Sequence, residues 1–290
     1  MRGWGTRLVA LGLVALAPAL ASADPCKSFG YGMPTGPVVA PLLDGGLGRA
    51  YRVCGRSELA IRGGGLLTVD KPNFYGHVSA GATLAGSWAP TKYTEVFAGV
   101  EVVRYDTVIQ SLSASRVGFG HTYLGGSVRG LASERLSLGF NGKVVLPTAV
   151  GLYREAWPFG FDVGLSGQFA ATPKVHLHGQ MGLLASVAAG RGDPGFRIGG
   201  AFTGGAEFLP IRRMSIVVDL HSIVGYTDVV DVVAGSAALR FSGLKRFGFE
   251  IAGTFPFVGR DRTQAVVMLQ ASVRLGSIVT PARSRRVRSR

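Results

Sequence analysis

Ionisable side chains recur at alternate positions along this 290-residue sequence. The segment "FGFDVGLSGQF" at 159–169 shows the pattern, because bulky apolar residues alternate there with small or polar ones such as Asp162. A period of two indicates a β-strand whose two faces meet different surroundings. We therefore predict one shared polar face, whose ionisable members are Arg62, His77, Glu95, Glu101, Lys143, Asp162, His176, His178, Arg197, Glu207, Asp219, His221, Glu250 and Arg274.

Two kinds of chemistry suit such a face. Rings of charge select ions where they line a pore. Alternatively, acids and bases pair across a narrow interior, because buried charges must be compensated. The two signs are nearly balanced, so the sequence leaves both alternatives open and predicts no strong preference for anions or cations. His176 and His178 share one face and could begin a metal site, but no third ligand is assured, so we predict no metal and no cofactor.

Twelve segments carry the alternating pattern. Tight connections such as "ATPKV" alternate with more variable, generally longer ones such as "PTAVGLYREAW". Basic residues in the tight connections recur every 33–43 residues, which is the spacing of hairpins. The segment at 229–242 is ambiguous, because Asp231 and Arg240 fall on opposite faces. The predicted strands lie near 56–69, 74–88, 92–106, 116–130, 134–147, 157–171, 173–187, 195–208, 212–226, 229–242, 246–257 and 263–275.

The second face of these strands indicates which side meets lipid. It is rich in Gly, Ala and Ser, whereas a soluble sandwich shows water a face rich in Lys, Glu and Thr. The bulky face is therefore predicted to look outward. Phe159 and Phe169 are ten residues apart, which corresponds to a rise of roughly 23 Å, close to the height of a lipid-facing band between aromatic girdles. The predicted girdle residues are Trp88, Tyr93, Trp157, Phe159, Phe169, Phe196, Phe208, Phe247 and Phe257.

Composition and charge set further bounds. The chain is 47% hydrophobic and 17% charged, yet its only long apolar run lies in residues 1–23. That run follows an arginine-containing start and ends on an Ala-x-Ala site, so it is predicted to be a secretory signal peptide. The excess of +14 charges does not indicate a nucleic-acid partner, because two arginines leave with the signal and five lie in the C-terminal tail or just before it.

A signal peptide, twelve amphipathic strands, tight basic turns and aromatic rims together resemble the Gram-negative outer-membrane β-barrel proteins of the porin-like kind. The resemblance covers residues 56–276 and rests on architecture rather than on a motif. It implies an all-β fold, namely a transmembrane up-and-down antiparallel β-barrel of about 12 strands. It also implies location in the cell outer membrane, with lipid as the partner of the outer face.

With this resemblance, the chain is predicted to have four parts. Export gives the cysteines an oxidising compartment, so Cys26 and Cys54 are expected to form a disulfide. The parts are a signal peptide at 1–23, a Gly/Pro-rich periplasmic segment with the disulfide at 24–55, the barrel at 56–276 and a basic tail at 277–290.

One short pattern bears on catalysis. His77-x-Ser79, followed by Glu95 or Glu101 on the next strand, is similar to the arrangement in lipid-modifying outer-membrane hydrolases. The catalytic groups of those enzymes look toward lipid, whereas His77 and Ser79 have the inward parity. We therefore predict no catalytic residues and no enzymatic activity.

The architecture predicts a pore or transport channel for small polar solutes. A close alternative is a non-conducting barrel that anchors an envelope-spanning complex, such as one for surface motility or polysaccharide export, through periplasmic or outer-membrane protein partners. A lipid-modifying hydrolase is a minor third alternative.

Overall fold

The computed structural model describes the chain between residues 57 and 274, with gaps. The predicted signal peptide, the Cys26–Cys54 segment and the basic tail lie outside the described residues. No helix in the described part of the chain is long and apolar enough to cross a membrane. The described residues are 57–70, 75–91, 93–108, 111–133, 135–150, 157–189, 195–211, 214–225, 229–241, 247–259 and 263–274.

All regular structure in these ranges is β-strand. The strands follow the predicted segments closely, apart from one interruption described below. They are β1 (Glu58–Asp70), β2 (Tyr75–Thr91), β3 (Thr94–Val108), β4 (Ser111–Gly118), β5 (Thr122–Ala132), β6 (Leu136–Leu146), β7 (Trp157–Thr172), β8 (Val175–Ala189), β9 (Phe196–Ile211), β10 (Met214–Val224), β11 (Val232–Phe241), β12 (Phe247–Gly259) and β13 (Thr263–Arg274).

The strands form a ring of antiparallel pairings. Strands that are consecutive in the chain pair with each other from β5 to β13, and β1 pairs with both β13 and β2. β2 pairs with β3, and β3 pairs with both β4 and β5. Because β4 and β5 share one position beside β3, the strands occupy twelve positions. The all-β, up-and-down antiparallel prediction is confirmed.

The burial pattern of the strands is the reverse of that in a soluble protein. In β10, Leu220 is 56% exposed, whereas its neighbours Asp219 and His221 are 3% and 1% exposed. The same alternation runs through β6 and β11. Since side chains alternate between the two faces of a strand, the ring turns its apolar residues outward and its polar residues inward.

The wall is irregular where the predicted strand at 116–130 divides into β4 and β5. β6 ends at Leu146 because Pro147 has no N–H to donate to a ladder. The Thr148 hydroxyl then accepts a hydrogen bond from the Thr122 N–H at 2.7 Å and lies 3.2 Å from the Gly120 carbonyl oxygen. The Thr148 side chain thus contacts backbone groups of Gly120 and Thr122 beyond the end of β6.

The ambiguous segment at 229–242 is settled by where its strand begins. Asp231 precedes β11, which starts at Val232, so its side chain is not subject to the alternation of the strand. Within β11 the even positions are buried, including Arg240 at 6% exposure. Arg240 therefore belongs to the inward face.

Candidate functional site

The inward face of the ring is the candidate functional site. Arg197 has the inward parity but is exposed at the loop end of β9, so it does not join the buried set. The side chains of Arg62, His77 and Arg274 lie outside the described part of the chain. The other predicted members are all buried, and these are Glu95, Glu101, Lys143, Asp162, His176, His178, Glu207, Asp219, His221 and Glu250.

Arg240 is the centre of the largest described group of charges. Its Nε donates to Glu250 Oε2 on the neighbouring strand, and its Nη1 lies 3.5 Å from Glu207 Oε1 on β9. β10 lies between β9 and β11, and its residue opposite Arg240 is the small Ser215. One guanidinium therefore compensates two buried carboxylates across four strands.

A second contact joins β8 to β10 across β9. The Nε2 atom of His178 forms a short contact with Asp219 Oδ1, and both residues are opposite Gly205 of the strand between them. A Cβ atom on Gly205 would lie 2.1 Å from Asp219 Oδ1 and 2.9 Å from His178 Nε2. A glycine is required there, because any side chain would occupy the space in which the two groups meet. We call His178, Glu207, Asp219, Arg240 and Glu250 the ion-pair network.

His221 is bonded to hydroxyl groups at both ring nitrogens. Nδ1 lies 3.1 Å from Thr203 Oγ1, and Nε2 lies 2.8 Å from Ser236 Oγ. A hydroxyl beside an imidazole can be a nucleophile and its base. Here the imidazole is 1% and Ser236 7% exposed, so both groups are packed within the inward face. The arrangement satisfies buried polar atoms.

Charges on the other side of the ring also meet. Lys143 Nζ on β6 lies 3.9 Å from Asp162 Oδ2 on β7, directly opposite in the ladder. The Arg129 guanidinium donates to the Ser137 hydroxyl at 2.7 Å. The first contact joins two predicted residues, and the second involves Arg129, which was not predicted.

Sequence reasoning missed four groups on this face, namely the buried Arg104, His121 and Arg240 and the half-buried Arg129. Arg104 was missed because β3 contains a bulge, where Val102 and Val103 are both exposed and Glu101 and Arg104 are therefore both buried. The consecutive valines that interrupt the alternation are the signal that was available. Arg240 was missed because the sequence did not show that β11 begins at Val232, after Asp231.

The predicted aromatic girdle residues lie on the outward face where their side chains are described. Trp88 and Tyr93 are exposed at the tight-turn ends of β2 and β3, and Phe159 and Phe169 are both 40% exposed. The side chain of Trp157 is not among the described side chains. The remaining members are also exposed, and they are Phe196, Phe208, Phe247 and Phe257. Their role at the membrane interfaces stays a prediction.

The metal site and the hydrolase pattern considered from the sequence can be compared with the described residues. Within the described ranges, no group of three or more His, Cys, Asp and Glu side chains could hold a metal ion. His176 is opposite Glu207 in the ladder rather than part of such a group. The side chains of His77 and Ser79 are outside the described set, so the hydrolase pattern stays an untested prediction.

Comparison with solved structures identifies the fold. An outer-membrane channel from Pseudomonas putida F1 superposes with a TM-score of 0.58 and 9% sequence identity, covering 78% of this chain and 97% of that one. The β domain of the Bordetella autotransporter BrkA gives a TM-score of 0.50 with 11% identity, covering 76% and 100%. Neither a family model nor a curated protein sequence matches this chain. The shared feature is the barrel.

Proposed function

We propose that this chain, an outer-membrane β-barrel by its fold and its apolar exterior, is a passive channel for small polar solutes. The observation that carries the proposal is the inverted distribution of residues. Hydrogen-bonding and ionisable side chains line the inward face of β3 and of β5 to β12, while large apolar side chains cover the outward face. A lumen of this kind presents solutes with groups that replace part of their hydration.

The pairing of the lumen charges supports a channel of low charge selectivity. Arg240 compensates Glu207 and Glu250, and Lys143 lies beside Asp162. Compensated charges produce weaker long-range fields than rings of one sign. The P. putida channel with a similar fold adds support at the level of architecture alone.

The proposal is tested with the full mature chain refolded into liposomes. We expect osmotic swelling in small neutral sugars, at a rate that falls as the sugar becomes larger, and steady steps of current in planar bilayers. Protein-free liposomes and heat-denatured protein are the controls. A refolded barrel that gives neither swelling nor current would contradict the channel.

A second candidate is the non-conducting barrel that anchors an envelope complex. The close packing of the interior favours it, since Glu207 and His221 are 0% and 1% exposed, as expected of a filled lumen. This alternative predicts a silent barrel that is recovered from crosslinked native envelopes with the same periplasmic proteins each time. Purification of the crosslinked protein, with an unrelated outer-membrane barrel as the matched control, distinguishes the two.

A further inference from the structure

Eight buried apolar side chains form a cluster on the inward face, where polar residues predominate. We call this cluster the apolar layer. No member is more than 7% exposed, and Ala201 of β9 packs against it. The members are Ala85, Phe97, Tyr123, Val145, Leu184, Ile223, Val232 and Ala234.

The apolar layer reaches both sides of the ring. Phe97 is on β3 and Ile223 is on β10, and these strands are half of the twelve positions apart. Tyr123 on β5 and Val232 on β11 are opposite in the same way. A single cluster that contains both pairs covers the interior from one side to the other.

On β6 and β10, polar residues lie next to the layer on the side of the tight turns. Along β6, Lys143 precedes Val145 by one inward position, and along β10, His221 precedes Ile223 in the same way. Along these two strands, a path from the tight turns therefore passes hydrogen-bonding groups and then the apolar layer.

We infer that the apolar layer is the selectivity barrier of the lumen, and that small uncharged or amphipathic solutes cross it faster than ions of similar size. The inference rests on the proposed channel function. An ion loses hydration at an apolar surface without compensation, whereas an uncharged solute loses much less. Apolar constrictions also oppose ion flow by excluding water.

The test adds hydroxyl groups to the layer with little change of shape. The layer variant is Val145→Thr with Val232→Thr, and the matched control is Val217→Thr. Val145 and Val217 are both 1% exposed and inward, but Val217 belongs to a separate cluster with Ala238 and Ala252 on adjacent strands. All proteins are refolded and checked for β-structure by circular dichroism before measurement.

We expect the layer variant to raise single-channel conductance in potassium chloride roughly tenfold, which corresponds to a barrier lowered by about 1.4 kcal/mol. Swelling in neutral sugars should change little, and Val217→Thr should conduct as the unmodified protein does. If the layer variant and the control conduct equally while sugars pass, the proposed channel is supported and the proposed barrier is contradicted. If no protein passes sugar or current, the channel itself is wrong and the barrier with it.

Discussion

The ion-pair network and the apolar layer occupy the inward faces of the same strands but differ in what holds them together. β8 contributes His178 to the network and Leu184 to the layer, and β11 contributes Arg240 and Val232. The network depends on directional contacts between a few charged atoms. The layer depends on non-directional packing among many apolar ones. One lumen therefore contains two regions that fail in different ways when a residue is removed.

The difference shows how a barrel can keep charges inside. In the network, each carboxylate is close to a cation or an imidazole, and a small residue such as Gly205 leaves the space for that approach. In the layer, burial itself is favourable and needs no partner of defined geometry. Removing one charged partner should therefore cost more than removing an apolar side chain of similar size.

The largest effect is expected for Arg240→Met. The substitution leaves Glu207 and Glu250 buried beside an apolar side chain, so the free energy of unfolding should fall by about 3–5 kcal/mol. Urea unfolding of the refolded barrel in detergent micelles, followed by circular dichroism, measures the change. Adding Glu207→Gln and Glu250→Gln to Arg240→Met should restore most of the lost free energy of unfolding. A triple variant as unstable as the single one would show that uncompensated charge is not the cause.

A smaller effect is expected for Leu184→Ala in the apolar layer. The substitution should lower the free energy of unfolding by about 2–3 kcal/mol, at the low end of the range for buried leucines, because the space opens toward the lumen. The neighbouring Leu183 is 52% exposed on the outward face, and Leu183→Ala is the matched control. Detergent or lipid tails can occupy the space left there, so the loss should be smaller. Equal losses would contradict the packed layer.

The smallest effect is expected for Ser236→Ala, a substitution between the apolar layer and the ion-pair network. It removes the hydroxyl that lies 2.8 Å from His221 Nε2, so the unfolding free energy should fall by about 1 kcal/mol. Ser222→Ala, at an outward position next to His221, is the control and should change stability less. A loss as large as that of Arg240→Met would mean that His221 belongs to the ion-pair network.

Alternation alone was sufficient to predict most of the fold. Asp162 and Asp219 each lie between two bulky apolar residues, and each is buried as that pattern indicates. The prediction was incomplete where the period of two is interrupted. The bulge at Val102 and Val103 changes which residues of β3 face inward, and the break between β4 and β5 depends on a hydroxyl of Thr148 that is distant in sequence.

The sequence by itself determined the two faces of most described strands, because a strand places neighbouring residues on opposite sides and lipid tolerates only the apolar side. It therefore determined the architecture and the residue types of the lumen. Only the tertiary structure decided which inward residues meet. Closing the ring brings β3 opposite β10 and sets the register that places Arg240 near Glu207, and contacts between distant strands depend on that register rather than on local alternation.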